Sequence, residues 1–180
     1  TQPDKPKGRG KEMQMTPVKV QALEYKIPVY QPAKVRDQAF IQVLREMDAD
    51  VFVVIAFGQI LPKDVLELPR YGCVNIHASL LPKYRGAAPI QWCVIDGEKE
   101  TGITTMMMDV GLDTGDMLEK VVIPIGDKET GGSLHDKLSL AGGSLILSTL
   151  RKLEEGTAVR TPQTEEGTCY AKMLTKSLGD

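Results

Sequence analysis

CVNIHASLLPKYRGAAP, Cys73 to Pro89, is the stretch on which the rest of this chain turns. It opens as a strand, and residues two apart on a strand point to the same face. Asn75 and His77 therefore project together while Ile76 turns into the core, which sets an amide donor beside a titratable base. Ser79 to Pro82 then leaves the strand as a loop whose backbone groups are open to a ligand. Arg85-Gly86 precedes a helix starting at Ala87, Ala88 and Pro89, where proline is tolerated because a first-turn N–H has no helical partner. Downstream lies an acidic, glycine-rich loop, MDVGLDTGD, Met108 to Asp116.

Upstream of this stretch, DVFVVIA, Asp50 to Ala56, is apolar and β-branched, the pattern of a strand covered on both faces. It is expected as a central parallel strand. Before it, Phe40, Ile41, Val43, Leu44 and Met47 recur at helical spacing across Asp37 to Met47. A short helix is expected over Val18 to Tyr25, a short strand over Ile27 to Tyr30, and another short helix over Pro62 to Leu68. The key strand spans Gly72 to Ala78, and a helix follows over Ala88 to Asp96 with the lone Trp92 in packing. Thr101 to Asp109 and Met117 to Pro124 read as two strands joined by the acidic loop. A last helix spans Ser133 to Glu154 with Leu134, Leu138, Ala141, Leu145, Thr149 and Leu153 along one stripe, and Gly142-Gly143 is expected to bend it. The sum is an α/β chain.

With 180 residues and 42% hydrophobic composition, the chain holds one domain's worth of core. A net charge of −2 argues against wholesale coating of nucleic acid, so any such partner must be met by a local basic patch. No apolar run reaches bilayer-spanning length and no leader pattern precedes a cleavage site, which reads as a soluble, unexported protein. Cys73, Cys93 and Cys169 are odd in number and widely spaced, fitting neither a disulfide framework nor a zinc site. The local basic patch lies in Thr1 to Lys19, rich in Pro, Gly and Lys and without period, hence expected as a long loop. Lys5, Lys7, Arg9, Lys11 and Lys19 outnumber Asp4 and Glu12 there, and Gly8 and Gly10 leave Arg9 free to approach a phosphate. On composition alone the same segment reads as a solvated terminus.

NIHASLLPKYRGAAPIQW followed by TGITTMMMDVGLDTGDM resembles the catalytic core of the methionyl-tRNA formyltransferases, within the wider family of enzymes that use 10-formyltetrahydrofolate. The likeness runs from Thr1 to about Thr175. It implies a Rossmann-like formyltransferase domain with a mostly parallel sheet, lacking its first strand-helix-strand unit and a C-terminal β-barrel domain. In that frame residues 1–160 are the catalytic domain, truncated at its N-terminus, with 1–19 a basic loop contacting tRNA through its GRGK core. Residues 161–180 are then a linker. The resemblance carries the tRNA role onto Arg9, Lys11 and Lys7, and the tetrahydrofolate contact onto Ser79, Leu80, Leu81 and Pro82, with the loop from Phe57 to Pro62 walling the same pocket.

The activity so implied is transfer of the formyl group of 10-formyltetrahydrofolate to the α-amino group of methionyl initiator tRNA. Such acyl transfer needs an oxyanion donor, a proton shuttle and a carboxylate. The Asn75 amide is a neutral donor suited to the oxyanion, worth roughly 3 kcal/mol in an acyl-transfer site. His77 suits the shuttle. By spacing Asp109, Asp113 and Asp116 are equal candidates for the carboxylate, and aspartates in such loops are commonly turn formers; the likeness of LDTG, Leu112 to Gly115, to the family's catalytic motif selects Asp113. Arg85 either shapes its loop or meets an anion. A covalent route through Cys73 or Ser79 lacks an activation pattern, and the two histidines lie too far apart for a metal site. Rival readings are a related formyltransferase acting on a sugar-nucleotide amine or on glycinamide ribonucleotide, and a non-catalytic folate- or RNA-binding fragment. The expected setting is a monomer in the cytoplasm, with an organellar matrix as the alternative, and no membrane partner.

Overall fold

The computed structural model describes residues 1–7 and 12–175. The chain opens on two short antiparallel strands, β1 (Lys5–Lys7) and β2 (Glu12–Gln14), followed by helix α1 (Pro17–Glu24). A loop was the expectation for this segment. Every residue of β2 is exposed, so no alternation of burial marks the strand in the sequence. The pairing is tied down by polar contacts instead: Asp4 accepts from Lys19 Nζ at 2.6 Å and from Gln31 Nε2 at 2.7 Å. The Thr1 amino group donates to the Tyr30 carbonyl, and Gln2 Nε2 to that of Phe57. Arg9 and Lys11 lie outside the described residues, as does the side chain of Lys7.

Helix α2 (Gln38–Glu46) leads into β3 (Phe52–Val54), helix α3 (Lys63–Leu66) and β4 (Cys73–His77). No strand forms over Ile27 to Tyr30. After β4 come the two-residue β5 (Arg85–Gly86), helix α4 (Pro89–Ile95), and the long strands β6 (Glu100–Met107) and β7 (Met117–Pro124). Helix α5 (Gly131–Glu154) and the short β8 (Tyr170–Ala171) complete the described elements. None of the described helices is long and apolar enough to cross a membrane.

The main sheet has the order β3-β4-β6-β7. Its parallel part is the β3–β4 pair, and β4–β6 and β6–β7 are antiparallel, so the sheet is mixed. For β6 and β7 the reason is the short connection between them, since only antiparallel neighbours can be joined by so few residues. Among the described strands β3 lies at an edge, with Val53 43% and Ile55 51% exposed, although their type suggested cover on both sides.

Helix α5 packs on one face of the sheet. Leu134, Leu138, Ile146 and Leu153 meet Val74, Ile76, Ile103 and Met107. The helix starts on a capping box in which Thr130 Oγ1 accepts from the Ser133 N–H and Ser133 Oγ from the Thr130 N–H. It runs without interruption through Gly142-Gly143, where a bend was expected. Gly142 lies in the buried stripe, and a Cβ there would sit 3.3 Å from Ile76 Cγ2, so glycine lets the helix lie close to β4. Around Cys73 on the other face, Ile41 of α2 and Val65 and Leu66 of α3 build a second apolar cluster with Phe52 and Val54.

Candidate active site

Along β4 the side chains alternate as the strand period requires. Val74 and Ile76 belong to the clusters under α5, while Cys73 joins the opposite cluster. Asn75 and His77 share the side of Cys73, and the register sets Asn75 opposite Met106 and His77 opposite Thr104. His77 is 6% exposed, and its Nε2 lies 2.9 Å from the Tyr84 carbonyl oxygen. A carbonyl only accepts, so Nε2 carries a hydrogen and donates it. That fixes Nδ1 as the nitrogen free to gain or lose a proton. Nδ1 faces Asp113 Oδ2 at 3.7 Å. Asn75 is half-buried, and its amide makes no side-chain hydrogen bond among the described residues.

Asp113 arrives from the loop between β6 and β7 with φ 54°, the left-handed region that few side chains adopt without support. Its Oδ2 accepts the Gly86 N–H at 2.7 Å. Gly86 itself has φ 112°, and a Cβ there would lie 2.9 Å from the Ala171 carbonyl oxygen, so both conformation and space call for glycine. The other two loop aspartates serve the loop's shape. Asp109 Oδ1 accepts from the Gly111 N–H and from Thr114 Oγ1, and the Asp116 carbonyl accepts the Met107 N–H at 2.8 Å.

The loop from Ser79 to Pro82 divides into inward and outward residues. Ser79 and Leu81 are buried, with Leu80 and Pro82 half-buried. Thr104 Oγ1 donates to the Ser79 carbonyl at 2.7 Å and accepts the Leu81 N–H at 3.2 Å. From β7, Lys120 Nζ donates to the Leu81 carbonyl at 2.5 Å, and partial burial holds this ammonium below the usual lysine range. Thr104 and Lys120 are cross-strand partners, so one rung of the sheet grips the loop at both groups of Leu81. A cleft of about 350 Å³ touches Leu80 and Pro82 and carries Glu98, Glu100 and Glu166, but reaches none of Asn75, His77 and Asp113.

Behind these residues runs the segment that follows α5, expected as a linker. Thr161 bridges to Met117, and Trp92 Nε1 donates to the Lys172 carbonyl at 2.7 Å. Strand β8 pairs in parallel with β5, while the Ala87 and Ala88 N–H groups both donate to the Ala171 carbonyl. Arg85 is 1% exposed; its Nε donates to Gln163 Oε1 at 3.0 Å and its Nη1 to Glu165 Oε1 at 3.4 Å. Of the two roles open to it, the structure gives it the shaping of the loop. Thr104, Lys120 and Gln163 carried no signal in the sequence, because an isolated Thr, Lys or Gln in an ordinary strand or loop belongs to no spacing pattern. Burial pushes the Cys73 thiol up to about 11, which leaves it a poor nucleophile.

Residues 1–150 match the model of the family described as Formyl transferase. Among curated proteins, the chain is 58% identical over 179 residues to the methionyl-tRNA formyltransferase of Agathobacter rectalis, covering 99% of this chain and 58% of that one. It is 60% identical over 179 residues to the methionyl-tRNA formyltransferase of Geobacter metallireducens, with the same two coverages of 99% and 58%. The chain thus spans a little over half the length of these relatives. Among solved structures, glycinamide ribonucleotide transformylase 1 from Symbiobacterium toebii superposes with a TM-score of 0.70 at 20% identity, covering 81% of this chain and 74% of that one. A sugar N-formyltransferase from a Shewanella species superposes with a TM-score of 0.70 at 20% identity, covering 85% and 59%. At such identities the likeness is one of fold.

Proposed function

Because the chain belongs to the formyl transferase family, we propose that it carries the catalytic part of a methionyl-tRNA formyltransferase, passing the formyl group of 10-formyltetrahydrofolate to the α-amino group of methionyl initiator tRNA. The observation that carries this reading is the identity of 54–60% to proteins of that name across essentially the whole chain. What supports the chemistry is the meeting of His77 and Asp113, 36 positions apart in sequence, beside the strand that also presents the Asn75 side-chain amide, which has no hydrogen-bond partner among the described residues.

In this reading the α-amino nitrogen attacks the formyl carbon, and the carbonyl oxygen gains the negative charge of a tetrahedral intermediate. Asn75 donates to that oxygen. The bond from the formyl carbon to the folate nitrogen then breaks, and the proton shed by the amine ends on that nitrogen. His77 handles the proton at Nδ1, since the Tyr84 carbonyl occupies the other ring nitrogen, and Asp113 stands beside Nδ1 to balance its charge. Ser79, Leu80, Leu81 and Pro82 are assigned to the folate. Leu80 and Pro82 would touch it with side chains, whereas Ser79 and Leu81 set the loop's backbone. In this reading the folate lies on the Asn75 side of the loop, because the cleft beyond Leu80 and Pro82 bears Glu98, Glu100 and Glu166 against the single Lys83 and suits an anionic folate tail poorly. Arg9, Lys11 and Lys7 are assigned to the acceptor end of the tRNA, and the protein acts as a monomer in the cytoplasm.

The test is formylation of methionyl initiator tRNA by 10-formyltetrahydrofolate, with this chain and with a form extended to its relatives' length. His77→Ala in either should cut the rate by about a hundredfold or more. Turnover of a sugar-nucleotide amine in place of the tRNA would overturn the substrate assignment, and near-parental turnover by His77→Ala would remove that residue from the mechanism.

A further inference from the structure

Gln163 stands outside every motif of the sequence, in the segment after α5, and yet uses all of its amide on the site. Its Nε2 donates to the Asp113 carbonyl at 2.8 Å and to the Gly115 carbonyl at 2.8 Å. Its Oε1 accepts from Arg85 Nε at 3.0 Å. Arg85 is followed by Gly86, whose N–H holds the Asp113 carboxylate at 2.7 Å. A closed ring results: Arg85 to Gln163, Gln163 to the backbone of Asp113, and the Asp113 side chain back to the residue after Arg85.

We infer that Gln163, aimed by the buried Arg85, is a positioning residue for Asp113, so that the strap from Thr161 to Ala171 is a working part of the site. Asp113 needs such a device because its left-handed backbone, φ 54°, is not held by any helix or strand. A primary amide is the group that fits. It offers two hydrogens for two carbonyl oxygens and one oxygen for the guanidinium, a set that neither a carboxylate nor an ammonium supplies. The guanidinium has its own anchor in β5, which β8 pairs with directly. Strap and catalytic loop therefore move as one body, and the 3.7 Å separation of His77 and Asp113 depends on both.

The inference rests on the proposed function for its kinetic readout and on hydrogen exchange for a readout free of it. Gln163→Glu keeps the acceptor for Arg85 and removes both donors; Gln163→Leu removes everything. In both, exchange of the Gly86 amide should rise roughly tenfold or more while the amides of β6 keep parental rates. In formylation, kcat should fall about ten- to a hundredfold with KM for 10-formyltetrahydrofolate within about twofold, as expected of a misplaced catalytic group. Should Gln163→Leu fail to fold, Gln163→Glu, which retains the arginine contact, gives the same reading. Parental exchange at Gly86, or full kcat in a folded Gln163→Glu, would overturn the inference, as would equal loss of protection across β6. A chain that formylates nothing even when extended to its relatives' length would strike the proposed function and leave the exchange result to decide the role of Gln163.

Discussion

The two faces of strand β4 differ in what they do with polar groups. Towards α5, Val74 and Ile76 are packed among leucines and isoleucines, and the polar groups nearby are satisfied among themselves. Thr105 Oγ1 meets Thr149 Oγ1 at 2.8 Å, and Glu119 accepts from Ser148, Thr149 and Lys152. Towards the site, His77 has one nitrogen committed and one turned to Asp113, and the Asn75 side-chain amide makes no hydrogen bond among the described residues. A five-residue strand thus carries a closed face that holds the fold and an open face with donors to spare. The contrast teaches that on this strand the residues of stability and those of chemistry alternate, one position apart.

The contrast can be broken from either side. Leu138→Ala on the closed face should cost about 2–5 kcal/mol of stability in a denaturant titration, because Leu138 is 2% exposed and its neighbours cannot fully close the space. The rate per folded molecule should stay parental. Asn75→Ala should do the reverse, cutting kcat by about 10²–10³ while the denaturation midpoint barely moves; a large loss of stability with little loss of rate would mean the faces do not divide the work.

Acidity sharpens the comparison further. Burial pushes the Glu119 carboxyl up, but hydrogen bonds from Lys152, Thr149 and Ser148 outweigh it and hold the group below its ordinary value of 4.5. A carboxyl lowered on folding lends stability above its unfolded pKa and loses it as the pH falls through the folded one. Stability followed from pH 6 downward should therefore decline below about 4.5, and Glu119→Gln should flatten that part of the curve. The smallest effect concerns the paired glycines of α5. Gly143→Ala meets nothing within 4 Å and should raise stability by roughly 0.5–1 kcal/mol. Gly142→Ala, whose methyl would press on Ile76, should gain less or lose, and equal gains would show that the helix does not depend on close approach there.

Legibility in the sequence followed the range of the contacts. Helices α2, α4 and α5 and strands β4, β6 and β7 were expected within a few residues of where they lie, because each has its own hydrophobic period. The hairpin β1–β2 was missed since its strands are three residues long and lack buried alternation, while the glycines expected to weaken the middle of α5 leave the helix unbroken, Gly142 fitting it against Ile76. In the site, the pairing of Asn75 with His77 follows from strand period alone. Spacing could not choose among Asp109, Asp113 and Asp116, and in the fold it is Asp113 that stands by His77.

By itself, then, the sequence determined the α/β class, the alternation along β4, the membership of the formyl transferase family and the place of Asn75 and His77 on one face. The tertiary structure alone decided the mixed sense of the sheet, the grip of Thr104 and Lys120 on the loop after β4, and the clamp of Gln163 and Arg85 around Asp113. The reason is the same in each case. Local periodicity records which face of an element is apolar, but a hydrogen bond between residues 39, 50 or 78 positions apart leaves no pattern in either segment until the chain has folded.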